Sequence, residues 1–257
     1  GRWDGKKRFY SRDSRSFLSG FLPFVLENFG KRKWEVNAED TRGLVLTTER
    51  TLDRKRSKPY ARLEDLRSYQ RTNIQKFLTH RLFASNMSLD WTRGVLKMPT
   101  RSGKTATVTR LIEALDVPTL YIVDRLDSLY QSQEEFQKWC DLPTGIVGDG
   151  TFQPATVTFA MIQTLDRRLN DSTTLRELQK EKERNNEKEK YLKQRIGEWK
   201  NFLKTIECLV IDECHKCDVG NIYHKVAVQC HNARYRIGIS ATPMMRLASP
   251  MTCGFDW

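Results

Sequence analysis

From residue 94 onward, the chain alternates short apolar runs with longer segments in which apolar residues recur at helical spacing. The runs are apolar or β-branched through most of their length, which is typical of strands covered on both faces of a sheet. Because each intervening segment is long enough for a helix, the pattern predicts an α/β fold, a parallel sheet with helices on both faces. The predicted strands are 94–98, 119–123, 156–161, 207–211 and 236–240.

Residues 1–60 have a different pattern and are interpreted as a small α+β domain that precedes the sheet. Apolar residues recur at helical spacing from Leu18 to Phe29, and Gly30 follows as the predicted end of that helix. Two strands are expected after it, at 33–36 and 44–48.

The main domain, residues 61–257, begins with a predicted helix over 62–83 and contains one segment that breaks the alternation. Residues 170–205 are too long for an ordinary crossover, and their centre is almost entirely charged. We expect a projecting helical hairpin that turns near Asn185, although a solvated charged face without a function is the plainer interpretation. Its second half carries an apolar stripe, which consists of Leu192, Ile196, Trp199 and Leu203.

The formal net charge of +12 favours an anionic partner, and nucleic acid is the usual one. The excess is concentrated in the N-terminal domain, where basic clusters alternate with aromatic residues. This mixture suits contact with a nucleic-acid backbone and packing against bases. The candidate DNA-binding cluster there is Lys31, Arg32 and Lys33. No apolar run is long enough to span a membrane and no signal peptide is visible, so we expect a cytoplasmic location.

The six cysteines fit reduced thiols, because several lie in or beside predicted buried strands. Cys214 and Cys217, together with His215, Cys230 and His231, could also be interpreted as a zinc site. The spacing lacks a clear second pair of ligands, so zinc is the less favoured interpretation.

A phosphate-binding loop is predicted where the first strand of the sheet ends. A loop that finishes in Gly-Lys-Thr at a helix start directs backbone N–H groups and the positive helix end towards phosphates. Lys104 would reach the outer phosphates of ATP, and the Thr105 hydroxyl would bind Mg²⁺. The candidate ATP contacts in the loop are Thr100, Arg101, Ser102, Gly103, Lys104 and Thr105.

Arg101 departs from the commoner form of this loop, which has a glycine at that position. If the backbone there requires positive φ, arginine in place of glycine lowers the stability of the folded state by about 1 kcal/mol. The alternative is that its guanidinium adds a phosphate contact. Met98 likewise stands where the first glycine of the loop is usual.

Two adjacent acids, Asp212 and Glu213, end a later apolar strand. Beside a phosphate loop, Asp212 would hold the Mg²⁺ that bridges the β- and γ-phosphates, and Glu213 would activate the attacking water. Together with Lys104, they are the candidate catalytic residues. The last predicted strand delivers Ser240 and Thr242, whose hydroxyls can bind the acidic loop and sense the state of the nucleotide.

Residues 98–105, 212–215 and 240–242 resemble motifs I, II and III of superfamily-two helicases, in that order and at suitable spacing. The resemblance implies a RecA-like sheet, ATP and Mg²⁺ as cofactors, and DNA as a partner. Residues 66–70 resemble the L-R-P-Y-Q element of that family, whose glutamine reads the adenine edge, and this assigns Gln70 to the ATP site. Two further segments resemble motif Ia and the next conserved element, and they imply contacts with the DNA backbone by Arg125, Gln131, Gln163 and Thr164.

Three short stretches of the N-terminal domain, at 3–5, 22–24 and 28–30, are similar to the small domain that precedes the motor in UvsW-type phage helicases. That resemblance implies remodelling of branched or double-stranded DNA, action on an RNA–DNA hybrid, and the host cytoplasm as the location. We also expect the chain to be a fragment that lacks the second RecA-like domain, and therefore to hydrolyse ATP slowly or not at all by itself.

Two other functions stay open at this point. Val123-Asp124-Arg125 also occurs in the motors of restriction endonucleases, so the chain could be the motor portion of such an enzyme. It could also be a nucleic-acid-binding module that nucleotide switches without strand separation. A nuclease motif in flanking sequence would favour the first, and ATP-dependent DNA binding without unwinding would favour the second.

Overall fold

The five apolar runs of the sequence lie side by side in one sheet. The computed structural model describes residues 10–11, 15–17, 22–37, 65–79, 81–84, 87–90, 92–168, 186–217 and 220–242. The helices are α1 Leu22–Lys31, α2 Ser68–Thr79, α3 Lys104–Leu115, α4 Leu126–Trp139, α5 Asn186–Thr205 and α6 Ile222–Gln229, and residues 162–168 are also helical. The strands are β1 Tyr10–Ser11, β2 Ser16–Phe17, β3 Arg81–Ala84, β4 Met87–Asp90, β5 Arg93–Lys97, β6 Thr119–Val123, β7 Thr144–Gly148, β8 Thr151–Gln153, β9 Val157–Met161, β10 Cys208–Ile211 and β11 Tyr235–Ser240.

The main sheet has seven strands in the order β5-β11-β10-β6-β9-β7-β8. All neighbouring pairs are parallel except β7 and β8, which form an antiparallel hairpin at the edge. The predicted α/β class is confirmed, and the five predicted strands are present to within one residue at each end. This hairpin makes the sheet mixed rather than purely parallel, and the sequence prediction missed it.

Both faces of the sheet are covered, as the apolar character of its strands requires. Along β6 the side chains alternate, so that Tyr121 and Val123 pack with α3 and α4 while Leu120 and Ile122 pack with α5 and α6. All five residues of this strand are buried. Burial on two faces explains why the strands lack the polar alternation of a half-exposed sheet.

The helix predicted over 62–83 is shorter in the structure. It occupies Ser68–Thr79, and β3 and β4 follow it as an antiparallel pair in which Leu82 lies opposite Leu89. The last residue of the apolar helical stripe is Leu78, so the periodicity gave no support for helix beyond that position.

The strand predicted over 33–36 is also wrong, because these residues follow α1 without regular structure and the first two of them cap the helix. Lys33 has a left-handed φ of 57°, and its N–H donates to Gly30 O over 3.0 Å. Trp34 N–H donates to Phe29 O over 3.0 Å, and the two aromatic rings lie 5.3 Å apart. This is the Schellman arrangement, in which lysine takes the place that glycine usually holds, so the helix runs one residue past its predicted end at Gly30. The strand expected at 44–48 lies outside the described residues.

The second half of the charged insertion packs against the sheet. The side chains of its apolar stripe, from Leu192 to Leu203, are buried, and Trp199 is only 2% exposed. Helix α5 therefore belongs to the layer that covers one face of the sheet and does not project. The first half of the predicted hairpin lies outside the described residues. Within the ranges that are described, no helix has the length and apolarity needed to cross a membrane.

Candidate nucleotide-binding site

The three segments singled out for nucleotide chemistry leave three adjacent strands at the same edge of the sheet. Strands β5, β11 and β10 are neighbours, and each segment follows the carboxyl end of its strand. Met98 N–H donates to Ser240 O over 3.1 Å, so the start of the phosphate loop is tied to the end of β11. Ligands of open parallel sheets bind at this edge, and the strand order thus supports the site predicted from sequence.

The phosphate loop contains two residues with left-handed backbone, Arg101 at φ 61° and Gly103 at φ 78°. Between them, the backbone N–H and the hydroxyl of Ser102 both donate to Pro99 O, over 3.3 and 2.7 Å. Helix α3 then begins at Lys104. The loop is therefore a closed turn that ends at a helix N-terminus, which is the geometry of an anion-binding loop.

An Arg101→Gly variant is expected to raise the free energy of unfolding by about 0.5–1 kcal/mol, because glycine adopts positive φ without a Cβ penalty. The arginine side chain is exposed, so its removal sacrifices no core packing. Urea denaturation of the two proteins measures the difference.

Gly103→Ala is the matched control, and its effect is expected to have the opposite sign. The position has φ 78°, and a Cβ there would lie 2.5 Å from Gln70 Nε2. If Arg101→Gly instead lowers stability, the arginine side chain makes a contact worth more than the backbone strain.

Both the oxygen and the nitrogen of the Gln70 side-chain amide form hydrogen bonds, and the residue is 5% exposed. Its Oε1 accepts the N–H of Arg67 over 2.9 Å, which is the contact that a glutamine at the third helical position makes with the residue capping α2. Its Nε2 donates to Ser102 O and Gly103 O over 3.1 and 3.2 Å. The residue that the family resemblance assigns to adenine therefore holds the phosphate loop against α2.

Tyr69, which the sequence prediction did not select, makes a similar contact. Its hydroxyl donates to Ser102 O over 2.7 Å, while 40% of the side chain stays exposed beside the loop. Its position immediately before Gln70, in the segment that resembles the L-R-P-Y-Q element, is the signal that could have identified it.

Asp212 and Glu213 lie at the end of β10, close to the phosphate loop. Glu213 Oε1 is 4.0 Å from Lys104 Nζ. Burial raises the pKa of the Asp212 carboxyl, an effect that the Glu213 N–H opposes by donating to Asp212 Oδ1 over 2.9 Å. Glu213 itself has a left-handed φ of 46° and 37% of its side chain exposed. A carboxylate held in strained backbone and open to solvent is suited to act on a water molecule.

His215 joins the acidic pair to the end of β11. Its Nδ1 lies 3.1 Å from Glu213 Oε2 and 3.0 Å from Ser240 Oγ. Thr242 N–H donates to the same Ser240 oxygen over 3.1 Å. The predicted contact between Ser240 and the acidic loop thus runs through His215, whereas Thr242 takes part through its backbone. His215 was missed as a site residue, although it directly follows the acidic pair at the ligand-binding edge.

The donors at this edge fit Mg²⁺ bound together with a nucleotide. Within the described part of the chain, no group of three or more His, Cys, Asp or Glu side chains could hold a metal ion. Mg²⁺ in nucleotide sites needs only one or two protein ligands, since phosphate and water supply the remaining oxygens. Thr105, in the first turn of α3, and Asp212 are the residues that would hold it, and the ion would neutralise phosphate charge.

Two of the segments assigned to DNA lie together, because they follow β6 and β9, which are neighbours. Gln163 Nε2 donates to Asp124 O over 2.8 Å, next to the exposed Arg125 at the start of α4. Thr164 follows Gln163 and is half-buried, whereas Gln131 is exposed further along α4. Lys31, Arg32 and Lys33 lie outside this surface, at the end of α1; Lys31 pairs with Glu27 over 2.6 Å, and Arg32 lies over the ring of Trp34.

The model of one protein family matches residues 63–245 of the chain, and this family is described as "Type III restriction enzyme, res subunit". The DNA 3′-5′ translocase XPB2 of Sulfurisphaera tokodaii is 29% identical over 97 residues, which are 37% of this chain and 20% of that protein. The chain therefore spans about a fifth of the length of this curated relative.

Two structures of the bacteriophage T4 helicase UvsW are similar in fold. One has a TM-score of 0.58 at 15% identity and covers 99% of this chain and 82% of that one. The other has a TM-score of 0.62 at 16% identity and covers 99% and 47%. The Hef helicase domain of Pyrococcus furiosus has a TM-score of 0.52 at 19% identity and covers 76% and 37%. At these identities the likeness is one of fold, and it agrees with a RecA-like sheet.

Proposed function

We propose, because the chain belongs to the family of the type III restriction enzyme res subunit, that it is the ATP-binding unit of a superfamily-two motor that moves on DNA. The observation that carries the proposal is the 4.0 Å approach of Lys104 Nζ to Glu213 Oε1. A cation from the phosphate loop and a carboxylate from the acidic pair face the same space. A γ-phosphate bound there would meet its counter-charge on one side and its water-activating base on the other.

In this proposal the chain's own residues divide the chemistry of hydrolysis among them. Lys104 neutralises charge on the outer phosphates, and Glu213 takes the proton of the attacking water. His215 keeps the Glu213 carboxylate oriented through the 3.1 Å contact and links it to Ser240. Thr105 and Asp212 would hold Mg²⁺, which would neutralise phosphate charge when bound.

Gln70 has a double role in the proposal. Its two amide hydrogens are directed at Ser102 O and Gly103 O, so contact with an adenine edge requires the exchange of one of these bonds. Binding of the base would therefore loosen one tie on the phosphate loop. This provides a direct path by which the base of the nucleotide alters the loop that holds its phosphates.

We propose two separate DNA-binding surfaces, one at the ends of β6 and β9 and the other at the basic end of α1. Arg125, Gln163 and Thr164 would contact phosphates of one strand without base readout, and Gln131 would extend that surface along α4. Residues 1–60, with the cluster Lys31, Arg32 and Lys33, would form a separate DNA-binding domain. The XPB2 relative is a DNA translocase, which supports DNA rather than another polyanion as the partner.

Remodelling of branched DNA is the finer form of this proposal. Its support is the likeness in fold to UvsW, which covers 99% of the chain. A second RecA-like domain would complete the nucleotide site from the other side and supply the arginine finger, which is worth about 10³–10⁵ in rate in related enzymes.

The test is ATP turnover by the complete protein with and without DNA, together with migration of a synthetic four-way junction. We expect DNA to stimulate turnover and ATP to be required for movement of the branch. If the complete protein hydrolyses no ATP with any DNA, the motor proposal is wrong. DNA binding that responds to ATP without movement or unwinding would favour the nucleotide-switched binding module instead.

A second candidate function is the motor portion of a restriction endonuclease, which the description of the matching family favours. It shares the ATP site and the DNA surface but ends in DNA cleavage. Incubation of the complete protein with long unmodified duplex, ATP and Mg²⁺ distinguishes the two, because a branch-remodelling motor leaves the strands intact.

A further inference from the structure

The short 3-10 helix Cys214–Lys216, which follows the acidic pair, makes contacts on both of its sides. On one side, His215 lies against Glu213 and Ser240. On the other side, Lys216 Nζ forms an ion pair with Asp124 Oδ2. One turn of chain thus separates the water-activating glutamate from the loop after β6.

Asp124 is positioned between the two segments of the proposed DNA surface. Its backbone oxygen accepts the Nε2 hydrogen of Gln163 over 2.8 Å, and it directly precedes Arg125, the residue that caps α4. A DNA phosphate that binds Arg125 and Gln163 therefore acts on both neighbours of the Asp124 carboxylate. The negative carboxylate tolerates a nearby phosphate best when Lys216 neutralises it.

Hydrogen bonds hold the backbone around Lys216 in place, and this fixes the point from which its side chain extends towards Asp124. Lys216 O accepts the Nδ2 hydrogen of Asn221 over 2.6 Å, and Cys217 N–H closes the turn on Cys214 O over 2.9 Å. The side chains of the ion pair are 36% and 23% exposed for Lys216 and Asp124. Partial burial reduces screening by solvent and salt relative to a pair on the open surface.

We infer that the Lys216–Asp124 ion pair couples DNA at the Arg125 and Gln163 surface to the position of Glu213, and this inference rests on the proposed motor function. DNA that moves the loop after β6 pulls on Lys216, and the turn that carries Lys216 begins at Glu213, whose φ is 46°. Backbone in this region persists only while its surroundings hold it, so the orientation of Glu213 responds to the turn. Lys216 and Asp124 are positioning residues in this scheme.

The experiment measures the ratio of ATP turnover with saturating duplex DNA to turnover without DNA, in the complete protein. Lys216→Met is expected to reduce this ratio by about fivefold, in the range of coupling changes seen for residues that touch neither ligand. Lys216→Arg keeps the charge and is expected to retain most of the ratio. Lys225→Met is the matched control, because it removes the charge of an exposed lysine on α6 and is expected to leave turnover unchanged.

A charge exchange separates the ion pair from a general effect on folding. Asp124→Lys alone is expected to lose the stimulation, and the combination with Lys216→Asp is expected to restore a large part of it. Thermal melting of each variant confirms that it is folded. A stimulation ratio that stays at the wild-type value in Lys216→Met, or that the exchange fails to restore, would overturn the inference.

The same coupling is read without turnover from the dissociation constant of a fluorescent ATP analogue measured with and without duplex DNA. An equal ratio of these constants in wild type and Lys216→Met would also overturn the inference, even if the protein hydrolyses no ATP. Absence of both nucleotide and DNA binding in the wild type is a different result, which contradicts the proposed function itself.

Discussion

A Glu213→Gln protein binds ATP with near wild-type affinity and hydrolyses it at least about 10²-fold more slowly; this is the first result that we expect. Glutamine preserves the size of the side chain and its ability to bond His215, which lies 3.1 Å from the carboxylate. It removes the basicity that a water-activating group requires. The steady-state rate of ATP hydrolysis measures the loss of activity, and titration with a fluorescent ATP analogue measures the affinity for nucleotide.

Glu207→Gln is the matched control for this experiment. Glu207 precedes β10 at the end of the strand opposite Glu213, where it pairs with Arg234 over 3.2 Å. It has the same charge and lies far along the strand from the phosphate loop, so we expect its turnover to match the wild type. Unchanged turnover in Glu213→Gln would take Glu213 out of the water-activating role.

Arg236→Met lowers the free energy of unfolding by about 3–5 kcal/mol; this is the second large effect that we expect. Arg236 lies in β11 and is 4% exposed. Its guanidinium donates to three carbonyl groups at the end of α6 and just after it, namely Ala227 O at 3.1 Å, Cys230 O at 2.8 Å and Ala233 O at 3.0 Å. Burial lowers the pKa of the guanidinium to about 10, so the group remains charged at neutral pH.

Methionine fills a similar volume but removes all three hydrogen bonds from the charged guanidinium, while Ala227 O and Cys230 O keep only the N–H groups of Cys230 and Ala233 as donors. The end of α6 also loses the positive charge that its dipole favours. Guanidinium chloride denaturation measures the loss. Arg234→Met, two residues earlier, removes only a partly exposed pair with Glu207 and is expected to cost about 1 kcal/mol or less. Equal losses in the two variants would show that the carbonyl contacts contribute little to stability.

The fold was predictable from sequence where burial dictates the residue types. Strand β10 is apolar throughout and β6 is apolar after Thr119, because both faces of each strand are covered, and that pattern occurs in few other settings. The hairpin of β7 and β8 was missed because its residues do not form such a run. Asp149 and Gly150, with φ of 49° and 74°, form the tight turn, and Asp-Gly is a recognised signal for a two-residue hairpin turn.

The elements that failed depended on contacts between distant residues or on a local exception. Strand β3 exists because it pairs with β4, and the sequence near Arg81 gives no periodic signal for this pairing. The end of α1 was displaced because Lys33 adopts a left-handed conformation that propensity assigns to glycine. Propensity describes single positions, whereas pairing and capping are decided by neighbours.

The candidate site was predictable at the level of segments, and the resemblance to superfamily-two helicases is confirmed. The roles assigned to Lys104, Asp212 and Glu213 remain predictions. The connections between segments could not be predicted, because they depend on which loops the sheet brings together. The contact of His215 with Ser240 and the ion pair of Lys216 with Asp124 join residues 25 and 92 positions apart in the chain.

The neighbouring positions of β5, β11 and β10 have a consequence for how the molecule folds. Their pairing closes very long loops, since β5 ends at Lys97 and β11 begins at Tyr235. Contacts of such high sequence separation form slowly, and the nucleotide site exists only after they have formed. A nucleotide that binds only the complete sheet would therefore stabilise it by mass action, and would do so only after these pairings have formed.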